Sequence, residues 1–351
     1  MTNKKYNNRR IGCGCLGVFG GLFVIIIFLA SAYLLNFALK PANNKGRDYA
    51  GQYARMKKNY PWIKPWIDSL QQAKAIRDTF IMVPGGEKRL LAEDSTRLHA
   101  LLINAPHKTG YTAVLVPGYT DCAADMLHAG YIYGKLLGMN LLIPDLHANG
   151  KSDGEAMQMG WKDRSDVLQW IDLAQKLYKD NKGHARIVVH GQSMGAATTM
   201  NVAGEIGDAS LKDKEEGIKK NLASSVKCFV EDCGYSSAWD EFSYELNDMF
   251  GLPDVPLLYT ASALCKMKYG WSFGEASSLS QVAKCHKPML FIHGGNDTFV
   301  PTRMVYPLYN AKPAPKQLIV FRGSKHAASY HDHPKEYEAA IIKFVKRYLF
   351  T

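Results

Sequence analysis

A chain of 351 residues, 47% of them hydrophobic, can bury a large core, which excludes a disordered or fibrous protein and suits one large α/β domain with an appendage. Its net charge of +11 is concentrated, because residues 1–58 hold ten Lys/Arg against a single acid, Asp48, and the other 293 residues carry only +2. Positive charge gathered beside an apolar segment points to a membrane surface, and the near-neutral remainder gives no reason to expect nucleic acid as a partner.

In chain order, residues 1–10 form a basic tail, and Ile11 to Leu39 follows without a single charge. That run exceeds the roughly 20 residues that span a bilayer and is too long for the 7 to 15 apolar residues of a signal peptide. It predicts an uncleaved, single-pass transmembrane anchor. Ala30-Ser31-Ala32 has the small-x-small form a signal peptidase accepts, but the apolar run continues through Tyr33 to Leu39. Four positive charges on the tail favour a cytoplasmic tail and an outer large domain, against the opposing pull of Lys40, Lys45, Arg47, Arg55, Lys57 and Lys58.

Residues 40–77 read as a linker and a docking helix. Pro41 to about Tyr60 is polar, basic and rich in Asn and Gly, as expected of a tether, whereas Pro65 followed by Trp66, Ile67 and Leu70 fits an amphipathic helix packed on the domain. From residue 78 to the end, strand and helix patterns alternate. Strands are predicted at Phe80–Val83, Leu98–Ile103, Ala113–Pro117, Asn140–Pro144, Ile187–Val189, Val226–Val230, Pro288–His293 and Gln317–Phe321. Helices are predicted at Met126–Leu137, Asp163–Lys179 and from Pro334 onward. Strands separated by helices imply a mostly parallel central sheet with helices on both faces. Between Cys233 and Lys287 the alternation pauses for too long to be an ordinary loop, which predicts a helical cap over about residues 235–283. Its many apolar side chains serve mainly packing, with Phe250 and Trp271 as the expected substrate contacts.

The chemistry centres on Gly191-x-Ser193-x-Gly195, which lies between the strand Ile187–Val189 and a small-residue helix. A serine on such a turn projects its hydroxyl, and glycines two residues to either side relieve collisions with strand and helix. Serine is a poor nucleophile near neutral pH, so it needs an imidazole to take its proton and a carboxylate to orient that imidazole. Asp297 and His326 follow strands and fall at the carboxyl edge of the sheet, where Ser193 also emerges; Asp232 is the alternative acid. His190 reads as a core residue, His293 as a hydrogen-bonded turn residue, and His331 and His333 as a solvated loop. The backbone N–H groups of Tyr119 and Met194 are the expected oxyanion donors. No cofactor or metal is implied, and five cysteines beyond the anchor lack metal-ligand spacing.

Five motifs in order, Val116-Pro117-Gly118-Tyr119-Thr120, Pro144-Asp145-Leu146 through Gly150-Lys151-Ser152, the Ser193 turn, Gly294-x-x-Asp297-x-x-Val300-Pro301 and Gly323-Ser324-Lys325-His326, carry a resemblance over residues 78–350. The chain resembles the α/β-hydrolase superfamily, particularly membrane-anchored bacterial serine hydrolases of the serine aminopeptidase and monoacylglycerol lipase-like group. It departs from them at Pro117-Gly118, where such proteins often have His-Gly, and at His147-Ala148-Asn149-Gly150, where they often have Arg-Gly-x-Gly. The resemblance implies the α/β-hydrolase fold and a membrane-anchored serine hydrolase acting on an acyl ester or amide. Esterase or lipase activity is expected first, with peptidase and acyltransferase as variants of the same acyl-enzyme chemistry. A non-catalytic, membrane-tethered binding protein on this fold is the second class, disfavoured by the complete set of nucleophile, acid and base.

Overall fold

Eight strands form one sheet in the order β1-β2-β4-β3-β5-β6-β7-β8 in the computed structural model, which describes residues 8–40, 48–83, 95–207 and 218–350. The greater part of the expected basic tail, residues 1–7, and the start of the expected linker, residues 41–47, lie outside the described residues. The chain begins with α1 (Asn8–Leu39), α2 (Tyr49–Asn59) and α3 (Lys64–Gln72), then enters the sheet with β1 (Ile76–Val83), β2 (Thr96–Ile103) and β3 (Tyr111–Val116). A short helix α4 (Leu127–Gly130), β4 (Asn140–Pro144), α5 (Asp163–Leu177), β5 (Arg186–Gln192), α6 (Met194–Gly207), α7 (Ile218–Ser225) and β6 (Val226–Asp232) follow. The cap is α8 (Ala238–Phe250), α9 (Leu257–Tyr269) and α10 (Ser278–Val282). The chain closes with β7 (Met289–Gly294), α11 (Val305–Ala311), β8 (Lys316–Phe321), α12 (Ser329–Asp332) and α13 (Pro334–Leu349).

The first three strands in sheet order pair antiparallel and the other pairs are parallel. Parallel strands are covered on both faces, so they read as apolar runs and not as alternating patterns. In β3, Val114 and Val116 join the core layer that holds Trp170 of α5 and Met200 of α6, while Ala113 and Leu115 join the opposite layer with Ile341 and Phe344 of α13. This period of two explains why Ile187–Val189 shows no polar position: Val188 faces one layer and its two neighbours the other.

Three elements depart from the sequence expectation. The supposed tether carries α2, whose N-terminus is capped by the Asp48 side chain accepting from the N–H groups of Ala50 and Gly51. Only Tyr49 and Met56 of α2 are buried, too few to raise a hydrophobic signal, and Tyr49 Oη donates to Asp145 Oδ2 at 2.6 Å to hold the helix on the domain. The helix expected over Met126–Leu137 is broken into a 3₁₀ turn at Ala123–Met126, α4 and a π-helical turn at Tyr131–Leu136. β1 starts at Ile76, two residues before the expected domain boundary. The docking helix lies at Lys64–Gln72, with Trp66 and Ile67 buried.

Helix α1 is long and apolar enough to cross a membrane over Phe19–Leu39, with a mean hydropathy of 2.5. Its two halves differ. Phe19, Phe23, Ile26 and Leu29 stand exposed, whereas Ser31, Leu35 and Leu39, spaced four apart and therefore on one face, are buried where α1 packs on α9.

Candidate active site

Ser193 occupies the junction of β5 and α6 with φ at +56°, a left-handed backbone that a non-glycine residue adopts only when its surroundings impose it. Its N–H donates to the carbonyl of Asp232 at 2.8 Å, and its own carbonyl accepts from Ala196 and Ala197 in the first turn of α6. The flanking glycines are forced by close approach: a Cβ on Gly191 would lie 2.0 Å from Gly195 O, and one on Gly195 would lie 2.1 Å from Val116 O. Helix and strand thus approach too closely for any side chain at either position, and the turn between them is correspondingly sharp.

Ser193 Oγ lies 2.9 Å from His326 Nε2, and His326 Nδ1 lies 2.7 Å from Asp297 Oδ2. The loop after β7 places Asp297, and the loop after β8 places His326, with Phe299 packed on the imidazole at 4.9 Å between ring centroids. Asp297 Oδ1 accepts from the N–H groups of Phe299 and Val300, at 3.0 Å each, which fixes the carboxylate plane. Burial by itself would raise the pKa of Asp297, but hydrogen bonds from His293 and His326 outweigh it and hold the group at about 2. Near neutral pH it is a carboxylate, and it favours the His326 tautomer with the proton on Nδ1 and a free lone pair on Nε2 facing the serine hydroxyl.

Asp232, the alternative acid, is fully buried, accepts from Tyr337 Oη at 2.8 Å and makes no hydrogen bond to His326. His190 is a core residue against Tyr133, and His293 donates through Nε2 to Val300 O at 2.9 Å. His331 is exposed and pairs with Asp332, whereas His333, expected in a solvated loop, is half-buried and stacked on Phe321 at 5.3 Å, with its Nε2 donating to Arg322 O. The Gly118 turn crosses directly over Ser193, since a Cβ on Gly118 would sit 3.3 Å from Ser193 Cβ. Tyr119, the next residue, and Met194, the first of α6, both line the cavity onto which Ser193 opens.

That cavity, about 660 Å³, lies between α1 and the cap and falls within the range of small-molecule sites. Phe250 lines it. Trp271 does not: it is 1% exposed, packs beside Phe273 at 5.9 Å and supports the wall from behind, which corrects its expected role as a substrate contact. Phe273 lines the cavity in its place. Phe250→Ala is therefore expected to lower the ratio of kcat/KM between long and short acyl esters by about tenfold, through lost apolar contact. Trp271→Ala is expected to act on stability instead, costing about 3–5 kcal/mol by opening a core void. Thermal melts together with rates on a chain-length series separate the two; a changed ratio in Trp271→Ala without loss of stability would contradict this placement.

Sequence reasoning missed two parts of the lining. Residues 33–38 come from the segment read only as a membrane anchor, Lys40 from the start of the expected linker, and Glu241 and Glu245 from α8. Burial foremost, then mutual repulsion, pushes the pKa of Glu241 well up, and burial likewise raises Glu245, so both favour the neutral form more than an exposed glutamate does. Their spacing of four around Phe242 was the available signal. Cys233, Asp297 and His326 hold potential metal-ligand atoms within 4.8 Å of one another. Asp297 and His326 are already engaged with each other, and burial keeps the Cys233 thiol protonated, so the trio makes a poor metal site.

No family model matches the chain. Over 242 residues, 69% of this chain and 73% of the other, it is 28% identical to an uncharacterized Bacillus subtilis protein, YqkD. Among solved structures it is similar to the Pyrococcus furiosus esterase Pf2001, with a TM-score of 0.57 and 21% identity over 79% of this chain and 95% of that one. The α/β hydrolase GrgF from Penicillium gives a TM-score of 0.54 and 15% identity over 78% and 100% of the two chains. Est1E from Butyrivibrio proteoclasticus, a structure with ferulic acid bound, gives 0.52 and 18% over 73% and 97%. With its largely parallel eight-stranded sheet, the serine at the β5–α6 turn and the helical insertion between β6 and β7, the chain has the α/β-hydrolase fold.

Proposed function

We propose that this protein is a serine hydrolase, held in a membrane by α1, that cleaves an ester of an apolar acyl group through an acyl-enzyme on Ser193. The observation that carries the reading is the continuous Ser193–His326–Asp297 hydrogen-bond chain opening onto a largely apolar cavity. As His326 Nε2 takes the hydroxyl proton, Ser193 Oγ attacks the ester carbonyl carbon. The oxygen of the tetrahedral intermediate becomes an anion and is held by the N–H groups of Tyr119 and Met194. On collapse the bond to the leaving alkoxide breaks and His326 returns the proton to it. Water then repeats the sequence on the acyl-enzyme, releasing a carboxylic acid and the free serine. Asp297 stays ionised throughout and stabilises the imidazolium in both halves.

The basic N-terminal tail supports a domain on the outer side of the membrane. Fluorophosphonate labelling of intact cells tests activity and orientation together. A membrane-impermeant probe is expected to label Ser193, and labelling is expected to vanish in His326→Ala. Labelling by a permeant probe alone would place the domain inside. A folded protein labelled by neither probe and inert toward every ester would leave the binding-protein reading as the better one.

A further inference from the structure

We infer that the C-terminal part of α1, residues 33–38, with Lys40 just beyond the helix, is a wall of the acyl pocket, so that the membrane-spanning helix and the catalytic domain together form a site loaded with the acyl chain of an ester lying in the bilayer. The inference deepens the hydrolase reading and rests on it for the word acyl; the wall itself rests on packing. Four polar contacts fix the segment at and next to the pocket. Ser31 Oγ donates to Leu257 O at 3.1 Å, Tyr119 Oη to Ala38 O at 2.7 Å and Met157 N to Leu39 O at 2.9 Å, and Lys40 Nζ meets Glu155 Oε1 at 2.6 Å. The bond from Tyr119 Oη ties the end of α1 to the turn above Ser193, and because the oxyanion is assigned to the Tyr119 N–H, the anchor also braces that donor.

Length supports the same division of α1. Its 32 residues extend about 48 Å at 1.5 Å per residue, against a hydrocarbon core of about 30 Å. The uncharged stretch Ile11–Ala30, 20 residues and about 30 Å, is long enough to cross by itself, so the span can sit N-terminal of Phe19–Leu39 and leave Ser31–Leu39, the part whose one face is buried on the domain, where the helix exits. The pocket therefore meets the bilayer where α1 leaves it. Its rim is apolar and open: Tyr33 is 65% exposed, Phe37 47%, Met249 53% and Phe250 41%, with Phe37 set edge-on to Phe250 at 5.8 Å. Such a rim is poorly matched to water and well matched to lipid tails; Phe37 and Phe250 touch edge-on and line the same cavity as Ser193, so a chain entering past this rim reaches Ser193 along an apolar wall.

The full-length protein in vesicles of palmitoyl-oleoyl-phosphatidylcholine tests this with p-nitrophenyl butyrate and p-nitrophenyl palmitate. Leu34→Trp, which fills the pocket from the α1 side, is expected to lower the palmitate-to-butyrate ratio of kcat/KM by about tenfold or more. Leu29→Trp, on the exposed part of the same helix, is expected to leave the ratio unchanged. Equal ratios in wild type, Leu34→Trp and Phe37→Ala, with thermal melts showing folded proteins, would overturn the wall. For the source, palmitate ester carried in the vesicles that hold the protein is expected to turn over at least about tenfold faster than the same ester in protein-free vesicles mixed with them; equal rates would overturn loading from the bilayer. If the wild type cleaves neither ester and takes no fluorophosphonate, the hydrolase reading has failed separately. The wall is then decided by a palmitate bearing a terminal diazirine, expected to crosslink within residues 33–38; attachment confined to residues 19–29 would reject it.

Discussion

Ser193→Ala and His326→Ala are each expected to lower kcat on p-nitrophenyl butyrate by about 10⁴-fold or more, and the double variant is expected to lose little beyond either single one. The reason lies in the shared proton. Ser193 Oγ and His326 Nε2 stand 2.9 Å apart, so each acts only through the other, and with one removed the second has nothing to activate or to accept from. Residual turnover in all three variants is expected to be similar, because the cavity and the proposed Tyr119 and Met194 donors remain. Neither substitution creates a large void, so the melting temperature is expected to move by only a few degrees. Losses that multiply in the double variant would show that the two residues act independently and would remove the acyl-enzyme mechanism.

Asp297→Asn is expected to cost roughly 10³–10⁴-fold in kcat with KM little changed, whereas Asp232→Asn is expected to cost far less. In the Asn variant the amide oxygen can keep the N–H groups of Phe299 and Val300, which turns the amide NH₂ toward His326 Nδ1. That nitrogen must then accept, the ring proton moves to Nε2, and the serine loses its base. Asp232 bonds instead to Tyr337 Oη, which can donate equally to an amide oxygen, so its substitution removes a buried acid without touching the imidazole. The depressed pKa of Asp297, about 2 against an ordinary 3.8, adds a stability signature. Its contribution is present above the unfolded-state value, near pH 4, and is lost as pH falls toward about 2, so acid unfolding of Asp297→Asn is expected to lack that component. If Asp232→Asn cripples a folded enzyme while Asp297→Asn does not, the acid belongs to Asp232.

Much of this arrangement is legible in local sequence, for reasons that particular residues show. β4 runs over Asn140–Pro144 as its pattern predicts, and β5 to β7 differ from their expected bounds by at most three residues, because strands buried on both faces must be apolar along their length; the half-buried edge strand β8 is found within one residue through its run Leu318–Phe321. Glycines at 191 and 195 mark a turn that no other residue can make at 2.0–2.1 Å from neighbouring backbone. Asp297 and His326 stand just after strands, and a parallel sheet gathers all such positions on one edge. Helix α2 was hidden because two buried side chains in eleven residues leave a polar composition intact.

Sequence by itself determined the alternation of strands and helices, the sharp turn at Ser193, the apolar α1 and the presence of a cap, since each is written in residues that are neighbours along the chain. Only the tertiary structure decided which acid reaches His326, that Phe250 faces the cavity while Trp271 stands behind it, and that α1 closes the pocket. Apolar side chains carry the same pattern whether they meet core, cavity or lipid, and a contact such as Tyr119 Oη on Ala38 O joins positions 81 residues apart, beyond the reach of any local periodicity.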